Sequence, residues 1–222
     1  MRLLALETAT EACSVALSDG HELSWRYQHA PRRQTELLLP MVDELLAAAQ
    51  WPLSSIDVFA YSAGPGAFSG VRLGAAAVQG LAFACQRPVL AVSSLQALAQ
   101  GAWRRHGAER ILALFDARMQ EVYAGFYGVR DGLAQALAPE RVTAIATLSD
   151  DGLGPWFAVG NGLGARQQLR LPLCGADAEL WPHAEDVLRL AWPRALAGQA
   201  QDAALALPVY LRDDVRQKLP GR

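Results

Sequence analysis

The stretch with the most chemical potential is Ser62-Ala63-Gly64-Pro65-Gly66-Ala67-Phe68-Ser69-Gly70-Val71-Arg72. Glycines let backbone N–H groups come close to a ligand, and the free N–H groups at a helix start attract an anion. The segment therefore reads either as a phosphate cradle or as a tight turn with close helix packing. It lacks the Gly-Lys-Ser/Thr ending of a P-loop, so Gly64 and Gly66 are candidate nucleotide contacts on residue type alone, together with Gly160 and Gly162 of Gly160-Asn161-Gly162. Glu7 and Asp116 fall in predicted hairpin turns, where a carboxylate could hold a magnesium-bound nucleotide or simply form the turn. Arg118 and Glu121 stand close enough to pair across the second turn.

Other chemistries lack their parts. His21, His29, His106 and His183 form no His-x-x-x-His pair and have no second ligand beside them, so no metal site is expected. Ser69 misses the Gly-x-Ser-x-Gly elbow because Ala67 and Val71 occupy the glycine positions. Of 20 basic residues only Lys218 is lysine, which removes P-loop and Schiff-base catalysis. Cys13, Cys85 and Cys174 show no Cys-x-x-Cys spacing and read as reduced thiols. No residue is assigned a catalytic role and no cofactor is expected. A net charge of −2 gives no overall footprint for a polyanion, so contact with RNA would be local or made through a partner.

The elements that would position these residues follow from patterning. With 52% apolar and 19% charged residues in 222, the chain can bury a substantial core. Its first apolar run stops at Glu7, too short for a signal-peptide core, and no long apolar stretch has membrane flanks, so a cytoplasmic protein is expected. Leu3–Leu6 and Cys13–Leu17 flank a turn at residues 7–11 and predict a hairpin. Ile111–Arg118 and Glu121–Tyr127 repeat that pattern, and Leu3-Leu4-Ala5-Leu6 matches Ile111-Leu112-Ala113-Leu114 almost residue for residue, which suggests two similar α/β halves, 1–105 and 106–222. Strands are also predicted at Ile56–Tyr61, Pro88–Val92 and Trp156–Val159. Helices are predicted at about 35–49, 69–84, 94–104, 186–192 and 195–206, and the segment Pro208-Val209-Tyr210-Leu211-Arg212 follows the last of them.

Two of these helices carry more apolar and small residues than one buried face needs, and a helix that is apolar or small all round must be covered on every side. A partner surface is therefore expected at Leu38, Met41, Val42 and Leu45 of the first and at Val71, Gly74, Ala76, Ala77, Val78 and Leu81 of the second. Such helices from two related chains could form a four-helix contact, and the same surface could make a symmetric homodimer.

Several segments, in order, resemble the bacterial TsaB (YeaZ) family. They are Leu6-Glu7-Thr8-Ala9-Thr10-Glu11-Ala12-Cys13-Ser14-Val15-Ala16-Leu17, Leu38-Leu39-Pro40-Met41-Val42 and Gly64-Pro65-Gly66-Ala67-Phe68-Ser69-Gly70-Val71-Arg72-Leu73-Gly74. Val92-Ser93-Ser94-Leu95, Asp116-Ala117-Arg118-Met119-Gln120-Glu121-Val122-Tyr123, Gly160-Asn161-Gly162 and Tyr210-Leu211-Arg212-Asp213 continue the series. The resemblance implies a duplicated actin-like (ASKHA, ribonuclease-H-like) fold of two subdomains, with the last helix able to pack back on the first subdomain. It also implies a non-catalytic subunit that binds the transferase TsaD, with the ATPase TsaE, for threonylcarbamoyl transfer to the adenosine beside the tRNA anticodon. Metal-bearing relatives carry a His-x-x-x-His pair that this chain lacks. Gln34 stands where the family commonly has histidine, and Ala63 where it often has arginine before Gly-Pro-Gly. The alternative from another class is a free-standing ASKHA nucleotide-binding protein or small phosphotransferase, or the glycoprotease that older family names suggest.

Overall fold

Apolar strands joined by short turns build two sheets in the computed structural model, which describes residues 1–150 and 152–212. Asp213 and Lys218 lie outside the described residues. The first sheet contains β1 (Leu3–Glu7), β2 (Ala12–Ser18), β3 (Leu23–His29), β4 (Val58–Gly64) and β5 (Val89–Ser93) in the order β3-β2-β1-β4-β5. The second contains β6 (Arg110–Arg118), β7 (Glu121–Arg130), β8 (Leu133–Ala136), β10 (Trp156–Val159) and β11 (Leu173–Asp177) in the order β11-β10-β6-β7-β8, with β9 (Arg141–Ala144) pairing onto β7. Directions match as well as order. In each sheet the first two strand pairs are antiparallel, and the first strand then pairs in parallel with β4 in one sheet and β10 in the other, which pair in parallel with β5 and β11. This is the duplicated, two-subdomain actin-like α/β arrangement.

Four helices sort the faces: α1 (Gln34–Ala49), α2 (Phe68–Cys85), α3 (Ser94–His106) and α4 (Ala184–Leu196). Side chains alternate across a strand, so each sheet presents two apolar faces. On one side of the first sheet, Leu4, Leu6, Val15, Phe59 and Tyr61 meet the buried stripes of α1 and α2. On the other, Leu3, Ala5, Val58, Ala60 and Leu90 meet Ala97 of α3 and Ala184, Val187, Leu188 and Ala191 of α4. The second sheet lays Ile111, Ala113 and Phe115 on α3, and its outer face, with Leu112, Leu114, Phe126 and Trp156, is closed by Ile145, Leu148 and Leu163 from short connections.

Ser93 begins α3 by accepting the Gln96 N–H at 3.3 Å, and His183 begins α4 by accepting the Glu185 N–H on Nδ1 at 3.0 Å. Burial pushes the His183 imidazole down to about 4, so it is the neutral ring that caps. Where α3 and α4 meet, Arg104 grips the buried Asp186 carboxylate through two hydrogen bonds of 2.9 Å each.

The helix expected over 195–206 is a correction. α4 ends at Leu196, and only Ala203–Leu205 turns again as a single 3-10 turn. Gly198 at φ 69° breaks the run. α2 is long and apolar enough to cross a membrane by length and composition alone, and a third of it is buried in the protein.

Candidate functional site

The turn after β1 and the start of α2 lie directly against each other, and this contact explains the glycines. A Cβ on Gly66 would stand 2.2 Å from the Ala9 carbonyl oxygen, one on Gly70 2.1 Å from that of Thr8, and one on Gly74 2.7 Å from Thr8 Oγ1. The Ala67 N–H donates to the Ala9 carbonyl at 2.7 Å, and Thr8 Oγ1 donates to the Gly70 carbonyl at 2.8 Å. The protein's own backbone thus takes the close approach that a phosphate would need.

The other candidate nucleotide contacts are likewise spent inside the chain. A Cβ on Gly64 would meet the Val209 carbonyl oxygen at 2.6 Å, one on Gly160 the Leu114 carbonyl oxygen at 2.3 Å, and one on Gly162 the Leu114 side chain at 2.8 Å. Gly64, Gly160 and Gly162 are buried. They serve backbone packing instead of facing a ligand, which corrects their assignment. Only Gly66 reaches the cleft.

That cleft, of about 360 Å³, opens between the two hairpin turns and the start of α2, with Thr10, Glu11, Gly66, Phe68, Asp116 and Arg118 among its walls. Asn161 contributes too, and its Oδ1 accepts the Asp116 N–H at 3.0 Å. Asp116 accepts the Arg118 N–H at 2.8 Å and pairs with its guanidinium at 3.2 Å. The expected pair of Arg118 with Glu121 is replaced, because Glu121 is held by Arg212.

Glu7 does not face the cleft. It is fully buried, accepts the Ala9 N–H at 2.6 Å and a hydrogen bond from Ser62, and burial raises its carboxyl to about 7. The same burial, helped by Glu7, lifts the Cys13 thiol to about 12, far from a reactive thiolate. Among the described residues no three of His, Cys, Asp and Glu converge to hold a metal ion. His29 approaches Glu11 at 3.6 Å and His106 approaches Asp177 at 2.8 Å, so both find carboxylate partners. The cleft offers charge and hydrogen bonds, and none of its wall residues is a nucleophile poised beside a base.

The helical face expected to meet a partner divides. Leu38, Met41, Val42 and Leu45 of α1 and Val71, Gly74 and Val78 of α2 are buried in this chain's own core, so they are corrected from partner contacts to core residues. Ala77 and Leu81 are half-buried against that core, and Ala76 is exposed. On the face of α2 opposite the buried stripe, the expected Ala76 is joined by residues that the sequence reading did not name there, Arg72, Gly80 and Phe83, which recur with it at three or four residues, with Phe68 at the start. Phe68 is 61% exposed and Phe83 78% exposed, and this helix bears no carboxylate. Large aromatics at helical spacing opposite the small residues were the available signal. On α1, Leu39 is half-exposed beside Pro40, Asp43 and Glu44.

Arg72 is the single charge on α2. Its guanidinium lies 3.5 Å from the centre of the Phe68 ring, and its Nε donates to the Tyr210 hydroxyl at 2.7 Å.

Comparison with known proteins places this architecture. The family model "TsaD: tRNA N6-adenosine threonylcarbamoyltransferase" matches residues 28–207. The Escherichia coli (strain K12) tRNA threonylcarbamoyladenosine biosynthesis protein TsaB is 42% identical over 234 residues, covering 100% of each chain. Its Haemophilus influenzae counterpart is 40% identical over 238 residues, covering 100% of this chain and 98% of that one. The solved structure of YeaZ from Pseudomonas aeruginosa is 46% identical, covers 95% of this chain and 99% of its own, and superposes with a TM-score of 0.92.

Proposed function

The chain belongs to the TsaB (YeaZ) family, and from that membership we propose that it serves tRNA threonylcarbamoyladenosine biosynthesis as a non-catalytic scaffold and activating subunit. In this reading it binds TsaD in the cytoplasm, TsaE joins the pair, and tRNA affinity resides mainly in the assembled complex. The observation that carries the reading is the exposed face of α2, where Phe68, Ala76 and Phe83 put apolar surface into water with no carboxylate on the helix. Exposed apolar surface at helical spacing suits a helix from another chain. The match of a TsaD family model to residues 28–207 supports a partner of related fold, which would present a comparable helix pair. With that partner missing, the same face would join two copies of this chain.

The test is Ala76→Arg, which places a charge and extra bulk at the centre of the face while leaving the core untouched. Calorimetric titration with purified TsaD should show binding weakened by several kcal/mol, on the order of other buried-charge penalties. Ala77→Arg, half-buried on the same helix, should weaken binding less cleanly because it also loosens the core. Unchanged affinity in a folded Ala76→Arg variant would place the interface elsewhere. For the subunit role, TsaD and TsaE without this chain should make little modified tRNA.

A further inference from the structure

Residues 207–212 cross from one lobe to the other. The Tyr61 hydroxyl donates to the Leu207 carbonyl at 3.0 Å, and the Val209 N–H donates to the Ala63 carbonyl at 2.7 Å. The Val209 carbonyl fills the space where Gly64 has no side chain, and Tyr210 receives the Arg72 Nε–H while its ring lies 6.0 Å from that of Phe68. Two residues on, the contacts belong to the second lobe. Arg212 donates to the Ala117 carbonyl at 3.1 Å, reaches Met119 Sδ at 3.4 Å and forms an ion pair with Glu121. Phe68 and Ala117, at the two ends of this crossing, both line the cleft.

The turn that Arg212 holds is itself unfavourable. Arg118, Met119 and Gln120 have φ of 66°, 54° and 63°, a left-handed run that costs L-residues roughly 1–2 kcal/mol each and suits glycine or asparagine. Such a turn keeps its shape only where surrounding contacts impose it. The Asp116 carboxylate binds it from inside the hairpin and Arg212 from outside.

We propose that Leu207–Arg212 is an interlobe latch: Arg72 keeps it on α2, Arg212 keeps it on the β6–β7 turn, and the width of the cleft depends on both ends being engaged. The two ends act in series, so loosening either should free the cleft's width as far as loosening both, while α3 keeps the lobes together. Being 24% exposed, the Arg212 side chain forms its pair partly shielded from water, where it is screened less than a surface pair.

The test uses the full chain with Cys85 and Cys174 changed to serine and spin labels on Ala48→Cys of α1 and Gln167→Cys of the second lobe, both exposed positions. Pulsed dipolar spectroscopy should give a narrow distance distribution. Arg212→Ala and Arg72→Gln should each broaden it and lengthen its mean, and the double variant should go no further. Hydrogen exchange at the Val209 N–H should accelerate roughly tenfold or more in either variant. A distribution unchanged in either folded variant, or broadening that adds in the double variant, overturns the latch. Should Arg212→Ala fail to fold, Arg212→Lys, which keeps the charge and loses the planar fork of nitrogens, takes its place with the same expected direction.

Discussion

Two lobes with one strand order are covered in different ways. In the first, the connections before and after β4 are α1 of 16 residues and α2 of 18. In the second, the corresponding connections are β9 with the three-residue 3-10 turn Ile145–Thr147, and the kinked stretch Asn161–Gln168. Both outer faces are nonetheless dry, since Trp156, Phe126 and Leu148 seal one as completely as Leu38, Val42 and Val78 seal the other. Long helices are therefore not needed to close this sheet order. The exposed apolar side of α2 is surplus to folding, and that surplus is what the docking proposal uses.

The comparison is broken most directly in the lobe with the thinner cover. Trp156→Ala removes the largest fully buried side chain, and truncation of such a residue costs about 3–5 kcal/mol. Calorimetry should show one transition moved down strongly, because α3 belongs to the cores of both lobes. Two separate transitions would mean that the lobes stand independently.

The next largest effect sets Glu7 against Phe115, which follow the matched runs Leu3–Leu6 and Ile111–Leu114. A folded carboxyl raised from 4.5 to about 7 leaves the unfolded chain with fewer protons between those values. Its contribution to stability is thus full below pH 4.5 and is lost as pH rises through 7. Glu7→Gln should stabilise the protein above pH 7 by up to about 3 kcal/mol, measured by urea unfolding at pH 8. Below pH 6.5 His183 acts in the opposite sense, because the unfolded chain protonates first and stability falls towards pH 4. Wild type offsets the two; the Glu7→Gln variant should show the acid loss uncovered.

Arg104→Ala leaves the Asp186 carboxyl buried without its partner, where α4 meets α3, the helix that both lobes share. We expect a loss of about 2–3 kcal/mol at pH 8, below the usual range for a broken buried pair because Arg104 keeps some contact with water. Burial already raises Asp186, so the deficit should shrink as pH falls and the orphaned carboxyl takes a proton.

The smallest effect sharpens the contrast between the two hairpin turns. No residue of the β1–β2 turn has positive φ, whereas Met119 and Gln120 both do. Gln120→Gly should therefore raise stability by about 1 kcal/mol in thermal unfolding.

Repetition and period made much of the fold legible. The four-residue match between β1 and β6 announced the duplication, and the spacing of Leu38, Met41, Val42 and Leu45 announced α1. β3 was silent because Leu23–His29 is a half-exposed edge strand carrying polar residues on both faces, and β11 because Leu173–Asp177 is short and interrupted by Gly175. At the candidate site, glycine alone cannot say what comes close to it. The carbonyls of Thr8 and Ala9 that occupy that space are some 60 residues away in sequence and far beyond any local pattern. The inward side of α2 was equally hidden, since small residues occur all round the helix.

One face of the first sheet has to wait. Leu3, Ala5, Val58, Ala60 and Leu90 emerge early in synthesis, yet α4, which covers them, begins only at Ala184. At ribosomal rates of about 5–20 residues per second, that apolar surface stays open for roughly 5–20 s on every nascent chain. The chain is thus most vulnerable to misassociation before its second lobe is complete, and a product ending at residue 105 would permanently lack the cover that α4 gives this face.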